Sequence, residues 1–405
     1  MLALAACSSG TSSSASAGST QASGSQASSA PAATNVSGGA IKVGFIEPVS
    51  GAVTYPTETP ALKGAQQYLS THGGVDGHPL QLVICDSDGT PATATNCANN
   101  FVQQHVVMVL DGYDPTDGEQ LPILARAGIP MIGVVAYSGV ADTNSDAFFF
   151  GPASQAFGVG PLQLLHEQGI NDIAFALADI PADHTYYNLS LAPVAKKLGM
   201  TVSMTYYPST SPNWTVLAAT LESTNPQVAG LVAAPEADCT SMFKALRASG
   251  YTKPVFLGGC SSFIQAVGPS QATGTFSYTA LWQPDMQKYA PPVIQSQLAL
   301  YGQAMNAIGQ GQIGDQHGVA AFASVMDAAE ILKMVKGTPT ASSALQAIKS
   351  LRNWQPFLDP PATCNHEEWP GTSACTNTIL VTKVAADGQF QPAVGNGFQS
   401  LNPGL

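Results

Sequence analysis

The sequence predicts an α/β protein made of two lobes, each built around a parallel sheet. Short β-rich apolar runs alternate with longer segments of helical character, and this alternation occurs twice along the chain. The length of 405 residues is roughly two to three times that of a typical single domain. A composition that is 45% apolar, with 39 Gly and 29 Pro, indicates a sizeable core with many short loops.

The first series of elements begins at Ile41 and ends near Phe150. Its predicted strands are Ile41–Ile46, Leu80–Ile84, Val106–Leu110 and Pro130–Val135. Its predicted helices lie near Ala61–His72, Ala92–Gln104 and Asp117–Ala127. Because a helix separates each strand from the next, the strands are expected to be parallel.

The second series repeats the design of the first. Its predicted strands are Asp172–Leu177, Thr201–Tyr207, Val228–Ala233 and Pro254–Leu257. Its predicted helices lie near Gln155–Gln168, Tyr187–Leu198, Trp214–Ser223 and Ala237–Ser249.

The closing third is more helical and is predicted to complete both lobes. Helices are expected at Ile294–Ala307, His317–Val335 and Ser342–Leu351, and the turn Asp387-Gly388 predicts a β-hairpin between Thr378–Val384 and Gln389–Val394. The expected domains are a leader and tether over 1–39, an N-terminal lobe over 40–150 plus about 280–335, and a C-terminal lobe over 151–279 plus about 336–405.

The first residues look like the end of a bacterial lipoprotein signal. Leu4-Ala5-Ala6-Cys7 resembles a lipobox, which implies lipidation of Cys7 and a place outside the cytoplasmic membrane, anchored to its outer face. A full signal also has a basic segment and a longer apolar segment, so the translation start is expected further upstream. Of the 32 residues from Ser8 to Gly39, 27 are Ser, Ala, Gly or Thr, a composition typical of a tether.

The other cysteines fall in three close pairs along the chain. The predicted disulfides are Cys85 with Cys97, Cys239 with Cys260, and Cys364 with Cys375. Buried free thiols and a metal site are the alternatives, although the spacings match no zinc pattern. Disulfides agree with an exported protein.

The charge balance excludes several classes of partner. A net charge of −12 without any run of Lys and Arg argues against binding to nucleic acid or to an anionic membrane surface. No apolar stretch of about eighteen residues, as a spanning helix requires, is present.

Motifs for catalysis are missing or weak. Gly309–Gly314 fits the dinucleotide pattern, but it follows a predicted helix instead of a strand. Asp111, Asp114 and Asp117 are better explained by helix capping than by a metal site. Neither a GxSxG nor an HExxH motif occurs, so no enzymatic activity, cofactor or metal is expected.

The loops after the predicted strands indicate binding of a small polar molecule. In open parallel sheets, ligands bind outside the carboxyl ends of the strands. These loops are rich in Tyr, Ser, Thr and acidic residues, which supply contact area and hydrogen bonds. They include Asp111–Thr116, Ala136–Ser138 with Tyr137, Asp179–Tyr186, Pro235–Asp238 and Gly258–Ser261.

Over residues 40 to 400 the chain resembles the type I periplasmic binding proteins, the branch that includes the leucine/isoleucine/valine-binding proteins of ABC importers. The landmarks of this resemblance are Pro48–Gly51, Gly64–Leu69, Gly73–Gly77, Ala127–Ile132, Pro235-Glu236 and Asp387-Gly388. The family implies two Rossmann-like lobes, joined by a hinge of several segments, that close on a ligand.

The resemblance also implies positions for ligand contacts. The carboxylate end of the ligand would meet Pro115, Thr116, the backbone of Ala136 and the side chain of Ser138. Three further positions lie at the entrance or on the second lobe. They are Tyr55 at the cleft entrance, Tyr186 or its neighbour Asp183 at the usual aromatic position, and Glu236 close to another familiar contact.

Cys260 is the informative departure from the family pattern, because amino-acid binders usually place there an acid that pairs with the ligand's ammonium. A buried ammonium without a partner costs several kcal/mol. Asp114, Glu236 and Asp238 are the candidate substitutes. Without one of them, an amide, an organic acid or an aromatic compound is the expected ligand.

These observations predict a lipid-anchored, monomeric protein that captures a small polar solute and delivers it to an ABC permease. A ligand-sensing receptor on the same fold is the first alternative. A tethered α/β hydrolase is the second, and the missing nucleophile elbow argues against it.

Overall fold

A computed structural model describes residues 36–51, 54–395 and 397–405. In these ranges the strands are β1 (Ile41–Glu47), β2 (Leu80–Asp86), β3 (Val109–Asp111), β4 (Met131–Gly133), β5 (Ala147–Pro152), β6 (Asp172–Ala178), β7 (Thr201–Tyr207), β8 (Val228–Leu231), β9 (Val255–Leu257), β10 (Phe276–Thr279), β11 (Ala374–Thr376), β12 (Thr378–Val384), β13 (Phe390–Pro392) and β14 (Gln399–Ser400).

The α-helices of the same ranges are α1 (Glu58–Thr71), α2 (Pro91–Gln103), α3 (Asp117–Arg126), α4 (Gly139–Asp142), α5 (Ala156–Glu167), α6 (Pro181–Tyr186), α7 (Ala192–Leu198), α8 (Trp214–Glu222), α9 (Glu236–Ala248), α10 (Phe263–Val267), α11 (Pro269–Ala272), α12 (Pro292–Ala307), α13 (Gln316–Lys333) and α14 (Ala341–Lys349). A π-helical turn, Tyr187–Leu191, joins α6 to α7, and a 3-10 helix covers Pro284–Tyr289.

The strands form two sheets, one for each lobe. In the described residues the first sheet has six strands in the order β11-β5-β4-β3-β1-β2, and its paired strands are parallel. The second has the order β13-β12-β10-β9-β8-β6-β7, with β14 beside β12. It is parallel from β7 to β10 and antiparallel beyond. The predicted α/β fold with two parallel-sheet lobes is therefore confirmed.

Helices cover both faces of the central strands, so these strands are buried, whereas the edge strands β2 and β7 are mostly half-buried. Alternate residues of β1 point to opposite faces, yet all of β1 except Lys42 is buried. This is the pattern of a parallel strand that lies between helices. Fully buried aromatic side chains fill the space between the layers, among them Phe45, Phe148, Phe175 and Phe256. Each of them stabilises the fold by roughly 1.5–3 kcal/mol.

The late segments divide between the lobes differently from the prediction. Residues from about 336 onward were expected in the C-terminal lobe. The structure instead pairs β11 with β5 at the edge of the first sheet and packs α14 against α13, which itself packs on α1. The hairpin of β12 and β13 does lie in the second sheet, as predicted. The chain therefore returns to the first lobe once more before its final hairpin.

Three disulfides join the predicted pairs of cysteines. Cys85 at the end of β2 is bonded to Cys97 of α2. Cys239 in the first turn of α9 is bonded to Cys260 after β9. Cys364 and Cys375 close a loop of sequence separation 11 that leads into β11. Each bond fixes a loop or helix at a strand end.

Candidate functional site

A cleft of about 670 Å³ lies where the carboxyl ends of the two sheets face each other. The first lobe contributes Tyr55, which follows β1, and Tyr137, which follows β4. The second lobe contributes the segments that follow β8 and β9, together with Tyr278 of β10. The lining residues are Thr54, Tyr55, Tyr137, Ala233, Ala234, Pro235, Glu236, Gly258, Gly259, Ser261, Tyr278, Gln283, Asp315, Gln316 and His317.

The structure brings four of the predicted contact residues to the cleft. These are Tyr55, Tyr137, Glu236 and Ser261. Asp183 lines a smaller cavity beside the cleft. Cys7 lies outside the described residues.

Four other predicted contacts do not line the cleft. Asp114 and Thr116 are buried, and the Asp114 carboxylate accepts hydrogen bonds from the backbone N–H of Thr116 (2.7 Å) and from its hydroxyl. Ala136 is also buried, and Pro115 is half-buried without lining the cleft.

Ser138 and Tyr186 are two further predicted contacts that do not line the cleft. The Ser138 hydroxyl caps α4 by accepting the N–H of Ala141 at 3.1 Å. The phenolic oxygen of Tyr186 is buried and has no hydrogen-bond partner among the described residues. Asp117, a buried residue that was not among the predicted contacts, accepts the backbone N–H groups of Tyr137 (2.8 Å) and Ser138 (3.2 Å). Asp117 therefore orients the loop that carries Tyr137 into the cleft.

An aromatic stack that was not predicted from the sequence forms one wall of the cleft. The rings of Tyr55 and His317 are parallel, with centroids 3.8 Å apart. The rings of Tyr113 and His317 meet edge to face, with centroids 5.2 Å apart. Burial, with smaller contributions from Tyr137 and Glu58, raises the pKa of Tyr55 above its ordinary value, so its hydroxyl stays protonated and can donate a hydrogen bond.

Asp315 holds this wall in place as the N-cap of α13. One of its carboxylate oxygens accepts the N–H groups of His317 and Gly318, both at 3.2 Å, and the hydroxyl of Thr57 at 2.9 Å. Burial raises the pKa of Asp315, but these hydrogen bonds outweigh it and the net shift is downward. Asp315 is therefore an anion at the edge of the cleft.

Glu236 is occupied by hydrogen bonds within its own lobe. Its two carboxylate oxygens accept the backbone N–H groups of Ser261 (2.8 Å) and Ser262 (3.1 Å) and the hydroxyls of both serines (3.3 and 2.8 Å). Its neighbour Cys260 is in a disulfide. Glu236 therefore shapes the loop after β9, and little of its hydrogen-bonding capacity is left for an ammonium group.

The charges around the cleft are mainly negative. Among the described residues, no Lys or Arg lines it, while Glu236 and Asp315 do. His317 is the one histidine among these lining residues. In the described parts of the chain, no three His, Cys, Asp or Glu residues lie close enough together to hold a metal ion. The arrangement is suited to holding a small solute through aromatic surface and hydrogen bonds.

The sequence profile of a family described as "Periplasmic binding protein" matches residues 40–388. The chain belongs to this family. Its two-lobe α/β fold is that of the type I periplasmic binding proteins, as the resemblance predicted. None of the helices in the described ranges is both long and apolar enough to cross a membrane.

Solved structures of similar fold agree with the family match. A putative branched-chain amino acid ABC transporter protein from Rhodospirillum rubrum is 19% identical, with a TM-score of 0.67, covering 87% of this chain and 99% of the other. A substrate-binding periplasmic protein from Ralstonia solanacearum is 18% identical, with a TM-score of 0.69 and the same shares of 87% and 99%.

The branched-chain amino acid transporter substrate-binding protein LivJ from Streptococcus pneumoniae, solved with isoleucine, is 14% identical, with a TM-score of 0.66 and shares of 87% and 97%. A comparison with curated proteins gave no match. At these identities the structural likeness shows the fold of this periplasmic binding protein and not its ligand.

Proposed function

We propose that this periplasmic binding protein captures a small polar solute in its interlobe cleft and delivers it to an ABC importer. The observation that carries the proposal is a single cavity lined by strand-end residues of both sheets. A solute held there touches both lobes, so it favours the closed arrangement over the open one. Solved proteins of the same fold that are described as parts of amino acid transporters support the delivery step.

The proposal includes a lipid anchor at Cys7. The segment Leu4–Cys7 and the Ser/Ala/Gly-rich residues after it support an anchor followed by a spacer. Three disulfides agree with an oxidising, extracytoplasmic location. Metabolic labelling with a fatty acid is expected to mark the protein produced from its own gene, and Cys7→Ser is expected to remove the label; equal labelling of both would contradict the anchor.

The ligand is expected to present an apolar or planar part together with hydrogen-bonding groups. Tyr55, Tyr137, Tyr278 and His317 supply flat surface on opposite walls of the cleft. Ser261, Gln283 and Gln316 supply donors and acceptors. Amino acids, amides, organic acids and small aromatic compounds all combine these features.

A thermal-shift screen of the full chain against these solute classes tests the proposal. A solute that binds only the folded state stabilises it and so raises the melting temperature. At a solute concentration one hundred times the Kd, this stabilisation is about 2.7 kcal/mol. Binding is then measured by calorimetry, and the solute is recovered and analysed by mass spectrometry. Recovery of a converted product would contradict a binding function.

Tyr137→Ala is expected to weaken binding of the strongest solute from this screen at least tenfold. Tyr137 is 50% exposed in the structure, so it contributes little to folding and becomes covered when a solute is held. Calorimetry measures the loss of affinity. The matched control is Val140→Ala, three residues later and 51% exposed but outside the cleft lining. Equal effects of the two variants would show that the cleft is not the binding site.

A further inference from the structure

A second cavity adjoins the cleft on the side of the second lobe. It has a volume of about 290 Å³ and lies beyond the carboxyl ends of β6, β7 and β8. Ala233, Ala234 and Pro235 line both the cleft and this second cavity, so they form the wall between them. Because these side chains are small, they separate the two spaces only narrowly. One solute could therefore occupy both spaces.

The polar groups of the second cavity are acidic and phenolic. Asp183, Asp238 and Tyr207 line it, and no Lys or Arg of the described residues does. One oxygen of Asp183 accepts the N–H of Ala178 at 3.0 Å, and one oxygen of Asp238 accepts the hydroxyl of Tyr207 at 3.1 Å. The second oxygen of each carboxylate accepts no hydrogen bond from the described residues. Each carboxylate therefore has one oxygen that can accept a hydrogen bond from a ligand.

The charge of Asp183 acts on both the cavity and the cleft. Burial raises the pKa of Tyr278, which lines the cleft, and the negative charge of Asp183 raises it further. Burial also raises the pKa of Tyr137 in the first lobe; a hydrogen bond with Tyr55 lowers this pKa, and the charge of Asp183 raises it. Burial raises the pKa of Asp183 itself, and the hydrogen bond from the backbone of Ala178 and, to a smaller extent, His184 partly offset this rise. Asp183 therefore lies within electrostatic reach of both lobes.

We propose that the cleft and the second cavity form one elongated site for a solute with an ammonium or guanidinium group at one end, held by Asp183 and Asp238. This inference rests on the proposed function and assigns its ligand class. An organic cation can satisfy the free oxygen of each acid with charge-assisted hydrogen bonds, which a neutral solute does not provide. With Cys260 unable to pair with an ammonium in the cleft, these acids supply the missing anion from the adjoining cavity.

Matched pairs of solutes test the ligand class on the full chain. L-arginine is compared with L-citrulline, which replaces the guanidinium by a neutral group of similar shape, and 1,4-diaminobutane with 1,4-butanediol. Calorimetry is expected to show at least tenfold tighter binding of the charged member in one or both pairs. The first pair reports an amino-acid cation and the second a simple amine.

Variants then locate the cation. Asp183→Asn is expected to lower the affinity for the charged member at least tenfold and to leave the affinity for its neutral partner unchanged. Its amide oxygen can still accept the N–H of Ala178, so the fold is kept. Asp238→Asn provides a second test in case the first variant fails to fold. Asp179→Asn is the control, because Asp179 is in the same segment and pairs with His184 but does not line the cavity.

The outcomes separate this inference from the proposed function. Equal binding of charged and neutral members, or equal effects of Asp179→Asn and Asp183→Asn, overturns the cation site. If neutral solutes then bind in a manner that depends on Tyr137, the proposed function stands without it. If none of the four probes binds, the cation class is overturned, and a broad solute screen without any hit would overturn the proposed function as well.

Discussion

Gly258→Ala is expected to lower the free energy of unfolding by about 3 kcal/mol and to abolish solute binding. A Cβ atom at position 258 would lie 1.9 Å from the carbonyl oxygen of Val232 and 2.6 Å from a ring carbon of Tyr278. The Val232 carbonyl belongs to the backbone just after β8 and accepts the hydroxyl of Tyr278 at 2.8 Å, so it cannot turn aside as a side chain could. The ends of β8 and β9 would have to separate, and both of them form the cleft.

The adjacent glycine provides the control for this effect. At Gly259 the φ angle is +75°, and an added Cβ would meet only a ring carbon of Tyr278 at 3.9 Å. Gly259→Ala is therefore expected to cost only the left-handed backbone penalty of about 1–2 kcal/mol. Urea unfolding curves measure both variants. Equal losses would show that backbone strain, and not the contact between strand ends, requires glycine here.

Stability is expected to fall as the pH rises from about 4 to 7. Burial raises the pKa of Asp359 well above its ordinary value, and burial together with the nearby Asp359 and Glu330 does the same for Asp327. Burial also raises the pKa of Asp285 to about 6. An acid with a raised pKa in the folded state binds its proton more tightly there than in the unfolded chain. Its contribution therefore declines from the unfolded pKa of 3.8 up to the folded pKa.

Each such acid costs about 1.4 kcal/mol per pH unit across the interval between its unfolded and its folded pKa. Asp86 and Asp315, in which hydrogen bonds outweigh burial and lower the pKa, act in the opposite direction and only below about pH 4. Together these groups place the expected stability maximum near pH 4 to 5. Most proteins reach theirs between pH 5 and 8.

Asp359→Asn tests this explanation because it replaces one titrating carboxyl group by a neutral amide of similar shape. Both carboxyl oxygens of Asp359 are buried and have no hydrogen-bond partner among the described residues. The variant is expected to lose less stability than the parent between pH 4 and 7, which urea unfolding at several pH values measures. The control is Glu119→Gln at an exposed site. A parent protein whose stability rises over this interval would contradict the prediction.

The fold could be predicted from the sequence because periodicity is a local signal. Thr201–Tyr207 was predicted with its observed bounds, and most helices were predicted to within a few residues. Short strands such as β10 and β11 were missed, because the partners that make them strands are distant in sequence. For the same reason the return of β11 to the first sheet could not be predicted.

The site was only partly predictable, for a related reason. Tyr55, Tyr137, Glu236 and Ser261 follow strands, and the rule that ligands bind at strand ends selects them. His317 lies in the first turn of α13, far along the chain from Tyr55, and only tertiary packing stacks the two rings. The N-cap pattern of Asp315 before α13 was a usable signal, but capping alone does not indicate a cleft.

The bond between Cys239 and Cys260 joins the helix that begins at Glu236 to the loop that carries Ser261. The covalent link and the carboxylate therefore hold the same loop from two sides. Dithiothreitol would cut the first of these restraints and leave the second. A dissociation constant measured in that reagent would then describe a binding protein whose loop after β9 is less restrained than in the oxidised form.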